Sequence, residues 1–413
     1  LLVALALLYQ TLPRPFLQGY FDHSAKQTKL LPPQPLSEHE EPITISKEPD
    51  FPTDWWTSSS TFELERRAIF SKHWLCVSHR RQFSKPGDYH TSTVVGLPIF
   101  LILGKDGDLR AFHNVCRHRA YPVIRKDRGS STVLGCRYHG WSYNSLGQLI
   151  KAPHFDGVVG FDRAQNGLFA VHTFTSQAGF VFVNLDARQT VWPPEVEFLD
   201  GFAGPRGLGL QSRWVGGQTI EGEVNWKMCL RVKRVMNGEM LGSGGLQHKR
   251  RSWLLDRLGL SRKSSEEVDI FPITTVRVMR DAAYWYTLTC IPVSAQRTSF
   301  RLDLYSCGAT NVSETQSVSR KVNNELQRAI VELEADYRSC PNDIRSSSDY
   351  DLTDVQLAVL DMLKAHLKLE RQQGTEVFPA MRKPRRNARF EQAEQLCKHL
   401  DCVDDLTRQK ISW

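Results

Sequence analysis

The pattern of hydrophobic and polar positions changes character along the chain. From residue 10 to about 53 no period holds: the stretch is rich in proline and in acidic or polar side chains (LPPQPLSEHEEP, 31–42), and it reads as an extended lead-in. Ser60 and Glu63 have the spacing of a capping box and open an amphipathic helix, FELERRAIFSKHW, over 62–74. Alternating runs then predict strands at Tyr89–Val95, Pro98–Leu103 and Leu109–His113, with a hairpin turn at Gly104–Gly107 and a buried strand at Gly179–Asn184. Beyond about residue 200, Thr274–Met279, Tyr284–Ile291 and Ser299–Tyr305 read as a three-strand meander. Two helices follow. Val318, Val322, Leu326, Ala329, Leu333 and Tyr337 recur at helical spacing in the first. The second starts near Thr353 with Gln356 completing a capping box, carries Val355, Val359, Leu363 and His366, and ends at Gly374, a C-cap glycine. The class is α+β: an extension over 1–53, a β-rich unit with a leading helix over 54–200, and an antiparallel sheet with long helices over 201–413. No internal repeat is present.

Composition adds a compartment. The 413 residues suffice for two cores, since domains commonly run to about 100–200 residues. With 41% hydrophobic and 24% charged residues the chain resembles an ordinary soluble globular protein. Cys76, Cys229, Cys290, Cys307, Cys340, Cys397 and Cys402 form no even framework. They read as reduced thiols, which implies an intracellular, cytoplasmic protein. Leu1–Tyr9 (LLVALALLY) is apolar but far short of the roughly 20 residues that cross a bilayer. A truncated anchor or signal segment touching a membrane and a packed or loose tail both remain open for it.

The candidate chemistry lies at Cys116-Arg117-His118 and, seventeen residues later, Cys136-Arg137-Tyr138-His139-Gly140-Trp141. Each loop offers one thiolate and one imidazole. A Rieske [2Fe–2S] cluster takes two Cys on one iron and two His on the other, and the C-x-H and C-x-x-H pairs supply that set. Zinc bound as Cys2His2 is the competing assignment, although structural zinc motifs pair Cys with Cys and His with His, whereas each loop here is mixed.

Residues 113–153 (HNVCRHRAYPVIRKDRG…LGCRYHGWSYNSLGQLIKAP) resemble the ferredoxin domain of Rieske non-haem iron oxygenases, in particular the choline monooxygenase-like and ring-hydroxylating alpha subunits, with a looser likeness from Phe62 to about Trp226. The resemblance implies Cys116, His118, Cys136 and His139 as cluster ligands, an all-β Rieske domain, and a helix-grip (START-like) catalytic domain. It also implies an NAD(P)H-linked reductase or ferredoxin as electron donor, O2-dependent hydroxylation of a small organic substrate, and a homo-oligomer, a trimer in this family. High-potential respiratory Rieske proteins carry an extra Cys in each loop; here Ala120, Tyr121, Tyr138 and Trp141 stand nearby instead. Fewer polar contacts to the sulfurs place the potential near the low end of the roughly −150 to +300 mV Rieske range. Trp141 is expected to cover the cluster edge, and Arg117 and Arg137 to be either solvated or partner-docking.

The resemblance also implies a mononuclear Fe(II), held by two His and a distant carboxylate that follow an Asn-Trp-Lys motif, with a bridging acid between. Asn225-Trp226-Lys227 is present, but its sequel places Val235, Glu239 and Gly244 where that motif's residues fall in register. No mononuclear ligand set is identified. His248, His366, Asp354 and Asp361 are weak candidates, a lone His being more often a surface or packing residue. Residues 227–263 hold ten Lys or Arg against Glu239 and Asp256, a net +8 that equals the charge of the whole chain. A grafted or mistranslated segment, a lost iron site, and a basic loop for an acidic partner compete as explanations. No aromatic interleaving or reading helix supports nucleic acid, and the glycines at 242, 244 and 245 lack a phosphate-loop Lys. Besides an oxygenase, two outcomes stay open: a cluster-bearing electron-transfer or pseudo-oxygenase protein, and a ligand-binding scaffold. Tyr284-Trp285-Tyr286 reads either as core or as a cage for a quaternary ammonium.

Overall fold

The computed structural model describes residues 51–52, 54–155, 157–229, 267–279, 283–308, 311–339 and 350–377. The lead-in up to residue 50, Val235, Glu239, Gly244, His248, and Cys340, Cys397 and Cys402 lie outside the described residues, as does all but the start of the basic stretch. The described residues belong to one compact unit, built on two antiparallel sheets and a small three-stranded one.

Helix α1 (Ser59–Glu65) passes into a π turn over Arg66–Phe70 and stops there, four residues short of the expected Trp74. Its N-cap is Ser58, whose Oγ accepts the Thr61 N–H at 3.3 Å, so the Ser60–Glu63 pair is not the box; Glu63 instead pairs with Arg66 at 2.8 Å. A seven-stranded antiparallel sheet follows in the order β1-β10-β9-β4-β3-β2-β5, comprising β1 (Leu75–His79), β2 (Asp88–Val94), β3 (Leu97–Leu103), β4 (Leu109–His113), β5 (Arg128–Ser130), β9 (Ala170–Thr175) and β10 (Phe180–Asn184). The apolar run LPIFLIL explains the central place of β3. Ile99, Leu101 and Leu103 join the main core, while Phe100 and Ile102 face the opposite way into a second core with Leu134, Trp141 and Tyr143. A strand buried on both faces needs such a continuous run. Strands β6 (Val133–Gly135), β7 (Ser142–Asn144) and β8 (Leu149–Lys151) form the small sheet beneath that second core.

A short helix α2 (Glu197–Ala203) leads to the five-stranded sheet, ordered β11-β15-β14-β13-β12. The expected meander is its centre: β13 (Thr274–Val278), β14 (Tyr284–Ser294) and β15 (Arg297–Ser306). Strands β11 (Arg213–Gly222) and β12 (Glu267–Ile270) extend it on either side. Alternation on β14 assigns the two faces. Tyr284, Tyr286, Leu288 and Cys290 meet Val322, Leu326, Ile330 and Leu333 of α3 (Val312–Ser339), whereas Trp285 stacks on Tyr305 at 4.1 Å and packs toward Phe180 of the first sheet. The three aromatics therefore do not share one cage. Helix α4 (Tyr350–Gln373) ends at Gly374 with φ +68°, as expected, but begins three residues before Thr353. Gln356 is consequently interior: its Oε1 accepts Trp55 Nε1–H at 2.9 Å and its Nε2 donates to the Lys227 carbonyl at 3.2 Å.

Candidate cluster site

Two loops, one leaving β4 and one joining β6 to β7, carry the four sequence candidates, and they close by the same backbone pattern. The Cys116 N–H donates to the Tyr121 carbonyl at 2.8 Å and the Ala120 N–H returns to the Cys116 carbonyl at 2.9 Å. In the second loop the Cys136 N–H donates to the Trp141 carbonyl at 2.8 Å and the Gly140 N–H to the Cys136 carbonyl at 3.0 Å. The fourth residue after each Cys is left-handed, with φ +58° at Ala120 and +72° at Gly140. Glycine takes that conformation freely, while alanine bears about 1–2 kcal/mol for it. The first loop is clamped at its base by Asn114, whose Nδ2 donates to the Ile124 carbonyl at 2.7 Å and whose Oδ1 accepts the Ile124 N–H at 2.9 Å.

These turns bring all four side chains together. The Cys116 and Cys136 sulfurs are within hydrogen-bonding reach of each other. The His118 and His139 rings lie 4.5 Å apart between centroids. Both Cys and His118 are buried, and His139 is half-buried. The shared hydrogen bond raises the Cys116 thiol and lowers Cys136 to about 6, with the Tyr138 and His139 backbone N–H groups also favouring the Cys136 anion. Two thiolates and two imidazoles so disposed are the donor set of a two-iron cluster with mixed ligation.

The surroundings depart from the sequence expectation in two respects. Tyr143 was not among the candidates, yet its hydroxyl accepts the Arg117 N–H at 3.1 Å and stands 3.3 Å from Cys116 Sγ, leaving its own proton for the sulfur. The sulfurs thus have a polar contact that the loop sequences alone do not reveal, which moves the expected potential upward from the low end. Arg117 is half-buried: it donates to the Gly167 carbonyl at 2.8 Å and covers the Phe169 ring at 4.0 Å. Arg137 is exposed. Trp141 is wholly buried and stacks on His118, with centroids 5.1 Å apart and planes 7° apart, while Phe155 closes the box edge-on at 5.2 Å. Tyr138 packs on His139 at 3.9 Å and is half-exposed.

The Asn-Trp-Lys run is a structural lock. Asn225 donates to the carbonyls of Trp56 at 2.9 Å and Ala295 at 2.7 Å. Trp226 Nε1–H donates to Glu65 at 2.6 Å, and Lys227 Nζ pairs with the same carboxylate, reaches the Trp55 carbonyl at 3.0 Å and faces the Trp55 ring at 4.4 Å. His366 is buried in α4 with its Nε2 3.2 Å from Glu370, itself paired with Arg67 at 2.7 Å; Asp361 is exposed. The side chain of Asp354 lies outside the described residues. Among the described residues no three His, Cys, Asp or Glu side chains gather to hold a single metal ion, and the stretch where the resemblance places the mononuclear ligands lies outside them.

The sequence signature of the Rieske [2Fe-2S] domain matches residues 73–162. Residues 73–162 thus carry a Rieske domain, and the chain is similar to alpha subunits of Rieske oxygenases. It is 37% identical over 185 residues to the carnitine monooxygenase oxygenase subunit of Acinetobacter baumannii, covering 44% of this chain and 48% of that protein. It is 41% identical over 128 residues to the alpha subunit of 2-aminobenzenesulfonate 2,3-dioxygenase from Alcaligenes sp, covering 30% and 32%. The chain spans about half the length, or less, of these curated relatives. The crystal structure of the apo quaternary ammonium Rieske monooxygenase CntA superposes with a TM-score of 0.59 at 26% identity, over 70% of this chain and 84% of that one. Naphthalene 1,2-dioxygenase, at 18% identity and a TM-score of 0.51, shares the fold.

Proposed function

We propose that the chain is the oxygenase component of a Rieske system, with Cys116, His118, Cys136 and His139 holding the [2Fe–2S] cluster and a small organic substrate hydroxylated with O2. The carrying observation is the pair of matched turns that sets two buried sulfurs and two imidazoles side by side. When bound, a Rieske cluster supplies one-electron relay chemistry. The protein's part is to hold it: the Tyr143 hydroxyl is placed to donate to Cys116 Sγ, the Trp141 ring excludes water from His118, and His139 offers the more accessible edge to an electron donor, an NAD(P)H-linked reductase or ferredoxin. Assembly into a homo-oligomer, as a trimer, belongs to the same proposal; one solved relative is described by inter-subunit electron transfer. Relatives solved with L-carnitine and gamma-butyrobetaine make a quaternary ammonium the leading substrate class. An intracellular setting belongs to the same proposal. No described helix is long and apolar enough to cross a membrane.

A second assignment, an electron-transfer or pseudo-oxygenase protein, draws on the sequence after Asn225-Trp226-Lys227, which places Val235, Glu239 and Gly244 where the family's iron motif would fall. Iron and sulfide analysis of the purified full chain separates the two: about three irons per chain for the oxygenase, about two for the relay. Cys116→Ser or His139→Ala is expected to abolish the cluster's visible absorbance. Unchanged colour and iron in both variants would overturn the ligand assignment.

A further inference from the structure

We propose that the cleft between the two large sheets, where their edge strands β5 and β11 come together, binds a small amphipathic monocarboxylate. The cleft encloses about 1050 Å³, at the upper limit of the roughly 300–1,000 Å³ of small-molecule sites. Its apolar lining is Pro98, Pro122, Ile124, Ile291, Pro292 and Val293. Its charged lining is Arg125, Arg128 and Arg301 with Asp127 and Glu221, and Glu221 is already paired with Arg297. Three guanidinium groups are then left with two carboxylates, Asp127 and the buried Asp303, a surplus of one positive charge. One carboxylate balances that surplus, whereas a phosphate group, at about −1.5 to −2, exceeds it.

The sheet register explains the arrangement. On β15, Leu302 and Leu304 face α3, so Arg301 and Asp303 face the first sheet. Asp303 is shared: Arg301 Nε–H donates to Oδ2 at 2.7 Å, Trp214 Nε1–H donates to Oδ1 at 3.0 Å, and Arg128 Nη2 stands 3.8 Å away. Gly217 lies opposite Asp303 on β11, where a Cβ would collide with that carboxylate. Arg301 is nearly saturated, since it also donates to Gln82 Oε1 at 3.2 Å and to the His90 ring. His90 therefore accepts. Burial, and then the Arg301 and Arg128 charges, hold it neutral, so it neither adds to the surplus nor offsets it. Arg128 differs. Of its five N–H donors, only Nη2 is engaged by the described residues, at Gln82 Oε1 2.6 Å away, which leaves Nε and Nη1 for a ligand. Its side chain is 32% exposed, so those donors are reachable, and its guanidinium lies 4.4 Å over the Trp214 ring, which holds the fork in place. Burial and the neighbouring Arg301 both disfavour the Arg128 cation, a cost that an anion in the cleft relieves. The proposal does not depend on the cluster assignment.

The test is calorimetric titration of the full-length protein with benzoate at constant ionic strength, with benzamide as the uncharged arm and inorganic phosphate as the second anion. Saturable binding of one benzoate per chain is expected, with benzamide at least tenfold weaker. Arg128→Gln should weaken benzoate about tenfold or more, the scale of a lost charge-assisted hydrogen bond. Arg125→Gln, an exposed substitution that leaves the fold intact, should weaken it severalfold by removing the charge surplus. Arg338→Gln, at the far end of α3, should bind as the parent does. Absence of saturable benzoate binding overturns the site, as does benzoate binding that neither Arg128→Gln nor Arg125→Gln diminishes, or that Arg338→Gln weakens equally. Benzamide binding as tightly as benzoate overturns the role of the arginines. Phosphate binding more tightly than benzoate, with the same variant pattern, overturns the monocarboxylate assignment.

Discussion

Replacing Lys227 by Met probes how the leading helix is fastened to the second sheet. Glu65 is fully buried and Lys227 nearly so, on segments 162 residues apart in sequence. Burial drives the Lys227 ammonium down from its ordinary pKa, and Glu65 opposes that shift. Removing one member of a buried pair strands the other, at about 3–5 kcal/mol. Here the Trp226 N–H remains on Glu65, which places Lys227→Met toward the lower end, about 3 kcal/mol. Glu65→Leu leaves a buried ammonium facing the Trp55 ring and carbonyl and strands the Trp226 N–H, which places it toward about 5 kcal/mol. The double variant Glu65→Gln/Lys227→Met keeps an acceptor for Trp226 and buries no charge, so it should recover most of the loss. Urea unfolding followed by tryptophan fluorescence measures all three, with Trp55 and Trp226 as reporters inside the lock. A loss under about 1 kcal/mol for Lys227→Met, the range of an exposed pair, would refute the buried-lock account.

Tyr143→Phe removes the hydroxyl beside Cys116 Sγ while keeping the ring. A differential of about 1 kcal/mol for that hydrogen bond, at about 59 mV per tenfold for one electron, lowers the cluster potential by on the order of 40 mV. Iron content should not change, and protein-film voltammetry showing an unmoved potential would count against the contact. His79, buried among Phe180, Trp285 and Tyr305, has its pKa lowered to about 4, chiefly by burial. Above pH 6.5 it is neutral folded or unfolded; below that the unfolded chain takes a proton the native state refuses. Stability should therefore fall by about 3 kcal/mol between pH 6.5 and 4, and His79→Phe should flatten the measured pH dependence if it still folds.

The four cluster candidates were legible because ligand chemistry and loop closure are both local: each Cys–His pair sits within four residues, and the strands around them alternate cleanly. Long-range satisfaction was not legible. Thr353 and Gln356 imitate a capping box, but the Gln356 amide answers to Trp55, 301 residues away in sequence. Strand β11 escaped notice because RWVGGQTIEG is a polar edge strand with a bulge after Trp214, paired to a partner some ninety residues later. Tyr143 reads as an ordinary strand residue until the fold lays β7 beneath the first loop.

The two sheets share their apolar faces, with Phe180, Phe182 and Cys76 on one side and Trp285, Tyr305 and Val276 on the other. Cutting the chain near residue 200 would leave a greasy plane on both fragments. The cluster-bearing half is thus not a detachable cassette: grafted elsewhere or expressed alone, it should clump unless that plane is repainted with polar side chains.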